Sequence, residues 1–216
     1  MFPIGDDNSM RRTFPFVTYV LIALNLLFFI VELGASDAFI ERWAFVPSRL
    51  LSDPAGGIIT IFTAMFMHAG WLHILGNMLY LWIFGDNVED RLGHIPFLIF
   101  YLVCGIVATF AQFFIYPSSN VPNLGASGAI AGVLGAYILL FPRERVNVLM
   151  GYAVIPLPAL IVIGLWFALQ LCSGAGTIAN AGSAGGVAYM AHIGGFVAGL
   201  VMALFFRGRR TIQPWS

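Results

Sequence analysis

The tetrapeptide Gly125-Ala126-Ser127-Gly128 sets a hydroxyl between glycines where a polar loop (Ser118, Ser119, Asn120, Pro122, Asn123) gives way to an apolar run of small residues ending at Phe141. Three roles fit it: a nucleophile, a helix cap, or a notch for close helix packing. Two other stretches carry compatible chemistry. In His68-Ala-Gly-Trp-Leu-His73-Ile-Leu-Gly-Asn77, helical spacing puts His73 and Asn77 on one face. Ala191-His192-Ile193-Gly194-Gly195, followed by Gly199, supplies a second histidine beside small residues. A serine hydroxyl becomes a useful nucleophile when a base takes its proton, and histidine, with an ordinary pKa of about 6.5, can do so at neutral pH. The attacked carbonyl then needs donors fixed in advance, and an asparagine amide, an imidazole N–H and the free N–H groups at a helix start are such donors. His73 and Asn77 are equally compatible with a structural pair that links helices, because polar groups at membrane depth need partners for either purpose.

The elements that must position these residues are transmembrane helices. With 216 residues, 60% hydrophobic and 9% charged, the chain has too little polar surface for a water-soluble globule. Its apolar stretches recur near the roughly 20 residues that a helix needs to cross the hydrocarbon core, and not as the short alternating strands of a barrel. The expected architecture is therefore all-α: a polytopic bundle of six spans, at Phe16 to Leu33, Trp71 to Val88, Phe97 to Tyr116, Ser127 to Phe141, Val146 to Leu171 and Val187 to Phe206, with a short fourth span. Residues 1–13 and 207–216 are expected as cytoplasmic tails around a membrane-embedded unit at 14–206. The first span is too long for a signal-peptide core and is expected to be retained. The segment from Gly34 to Gly70 mixes charges, aromatics, prolines and glycines, as suits short amphipathic pieces lying partly in the interface.

Every basic residue is an arginine. Arg11, Arg12, Arg91, Arg143, Arg145, Arg207, Arg209 and Arg210 fall on one side of this topology, and Arg42 and Arg49 on the other. The positive-inside rule then puts both termini in the cytoplasm. The segment Asp86 to His94 reads as a solvated inner helix end. Ser173 to Gly186, nearly all small residues, reads as an outer loop, either a passive linker or a gate. Net charge is zero, which offers nothing to nucleic acid. Cys104 and Cys172, both in apolar helices, read as buried free thiols, and neither a metal site nor a cofactor is expected.

Topology brings the polar groups together. Span four starts at Ser127, span two carries His73 and Asn77 near its start, and His192 lies about one turn into span six, all on the outer side. Gly128, Gly132 and Gly135 give span four a smooth face toward Gly195 and Gly199 of span six. No carboxylate lies in the outer halves of these spans, so the implied arrangement is a Ser-His dyad.

With GASG at 125–128, HxxxN at 73–77 preceded by His68, and AHxxGxxxG at 191–199, the chain resembles the rhomboid family of intramembrane serine proteases over nearly its whole length. The resemblance implies a six-helix fold and a serine endopeptidase that cleaves transmembrane-helix substrates near the outer membrane boundary, with membrane lipids as surroundings. It assigns Ser127 as nucleophile, His192 as general base, and His73, Asn77 and the Ser127 backbone N–H as oxyanion hole. His68 matches a position that supports the hole, and Gly125, Gly128 and Gly195 are its supporting glycines. At two places the chain departs from some bacterial members: Ala131 stands where they carry an aromatic ring stacked on the catalytic histidine, and Ile59-Thr60 aligns with their Trp-Arg pair. Compactness and charge placement suit a bacterial plasma membrane; oligomeric state is not legible. The competing readings are a non-catalytic, rhomboid-like binder of transmembrane clients, and a small transporter with His73 and His192 as proton carriers. The latter predicts charges along a path across the membrane, which the inner halves of spans two, four and six do not offer apart from the charges at helix ends.

Overall fold

The structure, a computed structural model, describes residues 2–9, 11–179 and 187–207. It is mostly helical. α1 (Phe16–Leu33) leads into three short helices, α2 (Asp37–Trp43), α3 (Pro47–Ser52) and α4 (Pro54–Thr63), and a 3-10 turn at Ala64–Phe66. The long helices α5 (Trp71–Leu92) and α6 (His94–Ile115) and the shorter α7 (Ser127–Leu140) follow. After a hairpin come α8 (Ala159–Ala179) and α9 (Tyr189–Ala203) with a 3-10 turn at Leu204–Phe206. Among the described residues, four segments are long and apolar enough to cross a membrane: α1, α6, α8 and α9 with its terminal turn. Segment Pro54–Phe66 and α5 together form a fifth, bent by 78° at its break, and α7 is apolar but shorter. The chain is a polytopic membrane bundle.

The all-α expectation is corrected by a three-stranded antiparallel sheet, in the order β1 (Phe2–Asp6), β2 (Arg145–Met150), β3 (Ala153–Pro158). The expected fifth span therefore begins at Ala159 and not at Val146. Its first residues form a hairpin because Val146, Val148 and Val154 favour strand, Gly151 supplies the left-handed turn residue (φ 63°), and Pro156 and Pro158 oppose a helix. The prolines, with Pro3, sit in the two edge strands, where a missing N–H breaks no ladder. Central β2 buries Val146 and Val148. At the other end of α8, Ser173 to Ala179, expected as loop, continues the helix; residues 180–186 lie outside those described. Cys104 is buried as expected, whereas Cys172 is exposed on α8.

α7 is the hub, with every residue from Gly128 to Tyr137 buried. Its glycines meet those of α9 backbone to backbone. A methyl group on Gly195 would strike the Gly128 carbonyl, one on Gly199 the Gly132 carbonyl, and one on Gly135 the Phe196 carbonyl. Small residues allow this approach where lipid supplies no hydrophobic drive for helix association.

The end of α5 far from Ser127 is not solvated: Asp86, Asn87 and Glu89 are buried. The Glu89 carboxylate accepts the Val17 and Thr18 N–H groups at 2.8 and 2.7 Å and the Thr18 hydroxyl at 2.7 Å, satisfying the free donors at the start of α1 and meeting its positive dipole end. Asp90 accepts the Arg12 and Thr13 N–H groups, and Arg11 pairs with Asp86 at 2.6 Å. These acidic side chains tie α1 to α5. Beside them, Asp6 accepts hydrogen bonds from the Tyr137 hydroxyl and the Asn87 amide, both at 2.7 Å, which fastens β1 beneath α7.

Burial pushes the Asp6 carboxyl up to about 6; the Tyr137 hydrogen bond opposes this and the nearby Asp86 charge adds to it. Because the folded-state value lies above the ordinary one, the stabilisation is complete below about 3.8 and is lost as pH rises through about 6. Asp6→Asn keeps an oxygen for Tyr137 and removes the charge. Unfolding followed against pH in detergent is expected to show a native protein that weakens across this window and a variant that does not; equal slopes would contradict the assignment.

Candidate active site

At the Ser127 end of the bundle, α7 begins with a helical residue at Ala126, and the first intrahelical bond runs from the Ile130 N–H to the Ala126 carbonyl. The amides of the preceding positions, Ser127 among them, lie at the positive end of the helix. Ser127 Oγ is 2.7 Å from His192 Nε2, the distance of a good hydrogen bond. His192 is buried, on the α9 face that Gly195 and Gly199 hold against α7. The close helix approach that those glycines permit is what brings the hydroxyl and the imidazole together. As an acceptor, Nε2 can take the Ser127 proton, which is the first requirement of a serine nucleophile.

On the opposite side of Ser127 the structure places His73 and Asn77, one turn apart on α5. His73 Nδ1 accepts the Ala69 N–H at 3.3 Å, so the neutral ring carries its proton on Nε2. That nitrogen faces the turn before α7: a Cβ on Gly125 would lie 2.9 Å from His73 Nε2, 2.8 Å from Cε1 and 3.6 Å from Ser127 Oγ. Gly125 has φ 132° and donates its N–H to the Ala64 carbonyl at 2.8 Å, so only a residue without a side chain suits both the conformation and the space. Asn77 is buried, and its amide nitrogen has no hydrogen-bond partner among the described residues. A donor buried without an acceptor is expensive unless something else is to fill the role.

His68 does not reach Ser127. Its ring stands edge-on to that of His73, with centroids 5.1 Å apart, and its backbone N–H donates to the Glu32 carboxylate at 3.0 and 3.3 Å. Gly128 and Gly195 are the backbone contact between α7 and α9 already described.

A cavity of about 930 Å³ opens over these groups, with His73, Asn77, Ser127, Ala131, Trp166 and His192 in its wall. Two of its neighbours escape sequence reasoning. Trp166 on α8 lies with its ring 5.9 Å from that of His192, at 35°, and one turn further along α8 Gln170 Oε1 is 2.8 Å from His192 Nδ1. Their i, i+4 spacing, with an amide in an otherwise apolar span, was the signal available.

Fold and site together define a helical membrane bundle that holds a serine hydroxyl, a bonded histidine and several unused donors at one end of a cavity. The chain belongs to the rhomboid family: the family profile described as the Rhomboid domain matches residues 55–209. It is similar to Rhomboid protease GluP of Bacillus subtilis, 34% identical over 194 residues, 88% of this chain and 35% of GluP. It is also similar to the mitochondrial Rhomboid protein 1 of Saccharomyces cerevisiae, 29% identical over 190 residues, 86% of this chain and 51% of that protein. The chloroplastic Rhomboid-like protein 11 of Arabidopsis thaliana is 31% identical over 145 residues, 65% of this chain and 49% of that one. The chain thus spans between about a third and about half of the length of these relatives.

Gly125→Ala should keep the helices and disturb the site, since its Cβ meets the His73 ring in a strained backbone conformation. Far-ultraviolet circular dichroism is expected to be unchanged, while labelling of Ser127 by a fluorophosphonate slows at least roughly tenfold, the loss of about 1.4 kcal/mol of transition-state binding. A native labelling rate in this variant would remove Gly125 from the site.

Proposed function

We propose that this protein is an intramembrane serine endopeptidase that hydrolyses a peptide bond near the outer boundary of a substrate's transmembrane helix. The observation that carries the reading is the 2.7 Å bond between Ser127 Oγ and His192 Nε2, facing a cavity with spare donors. Ser127 Oγ attacks the carbonyl carbon as its proton passes to His192 Nε2. The carbonyl oxygen, now negative, is met by His73 Nε2–H, the Asn77 amide and the Ser127 backbone N–H. The C–N bond breaks as His192 returns the proton to the leaving amine, and the acyl-enzyme ester remains. Water, deprotonated by His192, attacks that ester, and the regenerated hydroxyl recovers the proton.

His73, Asn77, Ser127 and His192 in the cavity wall give water a place beside the ester. A substrate helix must unwind before its carbonyl is accessible, so glycine or proline beside the bond lowers the barrier. The placement of the arginines supports six crossings, counting the bent pair and α7, with both termini cytoplasmic. A plasma membrane of bacterial type fits this arrangement.

The test is cleavage of a labelled transmembrane substrate by purified protein in detergent. Native protein should cleave; Ser127→Ala and His192→Ala should not. Asn77→Ala should lose roughly 10- to 1,000-fold in kcat if its amide acts on the developing oxyanion. Cleavage by either dyad variant at the native rate would overturn the mechanism, and binding of the substrate without cleavage by native protein would favour the non-catalytic reading.

A further inference from the structure

Neutral imidazole has one N–H, and the side of the ring that carries it decides what the other nitrogen can do. For His192 to take a proton on Nε2, its own proton must sit on Nδ1. In the triad logic of serine hydrolases a third group accepts that Nδ1–H, orients the ring and stabilises the imidazolium that forms. α5, α7 and α9 contribute no carboxylate here, and the atom found within reach is Gln170 Oε1 of α8, 2.8 Å from Nδ1.

On the proposed protease reading, we infer that Gln170 is a positioning residue: its carbonyl oxygen accepts the His192 Nδ1–H and holds the ring in the tautomer that leaves Nε2 free for the Ser127 proton. An amide oxygen accepts, so with Oε1 turned toward the ring, as it is here, this contact is matched by the Nδ1–H tautomer. Trp166, one turn before Gln170 on the same face of α8, lies beside the ring and limits its rotation, and Ala131, on α7, offers only a methyl group to that wall. The stacking of Phe167 on Phe196, with centroids 4.0 Å apart at 15°, fixes the rotation of α8 about its axis, and with it the direction of Gln170. Gly174 lets α8 approach Met190 and Ile193 of α9 a turn further on.

α8 is anchored elsewhere mainly at its other end, where Ala159, Val162 and Ile163 are buried, while Leu165, Leu169, Leu171 and Ile178 are exposed. The Ser-His pair is therefore oriented by a helix that contributes neither reacting group, and it is complete only while α8 lies against α9.

Two substitutions separate this role from packing. Gln170→Leu keeps the bulk and removes the acceptor; it should lower kcat roughly 10- to 100-fold with KM little changed, part of the roughly 10²- to 10⁴-fold that a positioned base contributes. Gln170→Glu keeps an acceptor and adds a charge; it should retain most of kcat and move the acid limb of the kcat/KM profile to higher pH, because the carboxylate favours the imidazolium. The ionisable side chain that otherwise acts on His192 is His73, from α5, and it is untouched by either change. A native kcat in Gln170→Leu, or an unmoved acid limb in Gln170→Glu, overturns the assignment. A second readout does not depend on cleavage: in protein labelled with 15N-histidine, with His192→Ala to identify the signal, His192 should be protonated on Nδ1 in native protein and lose that preference in Gln170→Leu. A native His192 protonated on Nε2 overturns the proposal even if the protease reading stands; an Nδ1–H signal in a protein that cleaves nothing keeps the contact and removes the protease.

Discussion

The backbone contact between α7 and α9 governs everything at the Ser127 end. Gly195 and Gly199 lie on the carbonyls of Gly128 and Gly132, and Gly135 on that of Phe196, so the two helix axes are as close as main chains allow. A single Cβ at Gly195, Gly199 or Gly135 would push the helices apart, and the Ser127 to His192 bond at 2.7 Å has little length to lose, since hydrogen bonds weaken well before 3.5 Å. The bundle has no hydrophobic drive in lipid, and tight van der Waals contact is what holds such helices. The same glycines serve the cohesion of the bundle and the Ser127 to His192 bond.

The remaining donors depend on a different lock. His73 and Asn77 ride on α5, and α5 is fixed at its far end by what its acidic residues hold. Glu89 caps α1, Asp90 holds the Arg12 to Thr13 turn, and Asp86 pairs with Arg11. Buried carboxylates are costly unless their oxygens are filled; here Glu89 is filled by the donors that the start of α1 leaves free and Asp86 by the Arg11 guanidinium. β1 closes this end through Asp6 and Tyr137. The polar core far from the cavity and the apolar packing beside it thus act on one site.

Much of this was legible in the residues. The spacing of His73 and Asn77, the glycine run after Ser127, and Gly195 and Gly199 after His192 follow helical periodicity, and the alternation of spans brings their ends to one side. What escaped did so for physical reasons. Val146 to Pro158 is apolar enough for a span, because hydropathy does not distinguish a buried strand from a helix; Gly151, Pro156 and Pro158 were the marks of the hairpin, and its partner β1 lies far away in sequence. Asp86 and Glu89 look solvated when their neighbours along the chain are considered alone, yet Glu89 is held by the backbone of α1 and Asp86 by Arg11, some 75 residues away in sequence. Gln170 is one amide in an apolar helix, and its contact depends on how α8 is rotated, which no local pattern encodes. Ala131 raised the question of what steadies His192, and the nearby groups are Trp166 and Gln170 from a helix that carries no reacting residue.

In the proposed protease the α7–α9 contact makes Ser127 a nucleophile, and an irreversible fluorophosphonate reports on that property without any substrate. Purified protein treated with the probe and mapped by mass spectrometry should carry the adduct on Ser127, and Gly199→Val, with its helices retained, should not. An adduct on another residue, or undiminished labelling of Ser127 in the variant, would contradict it.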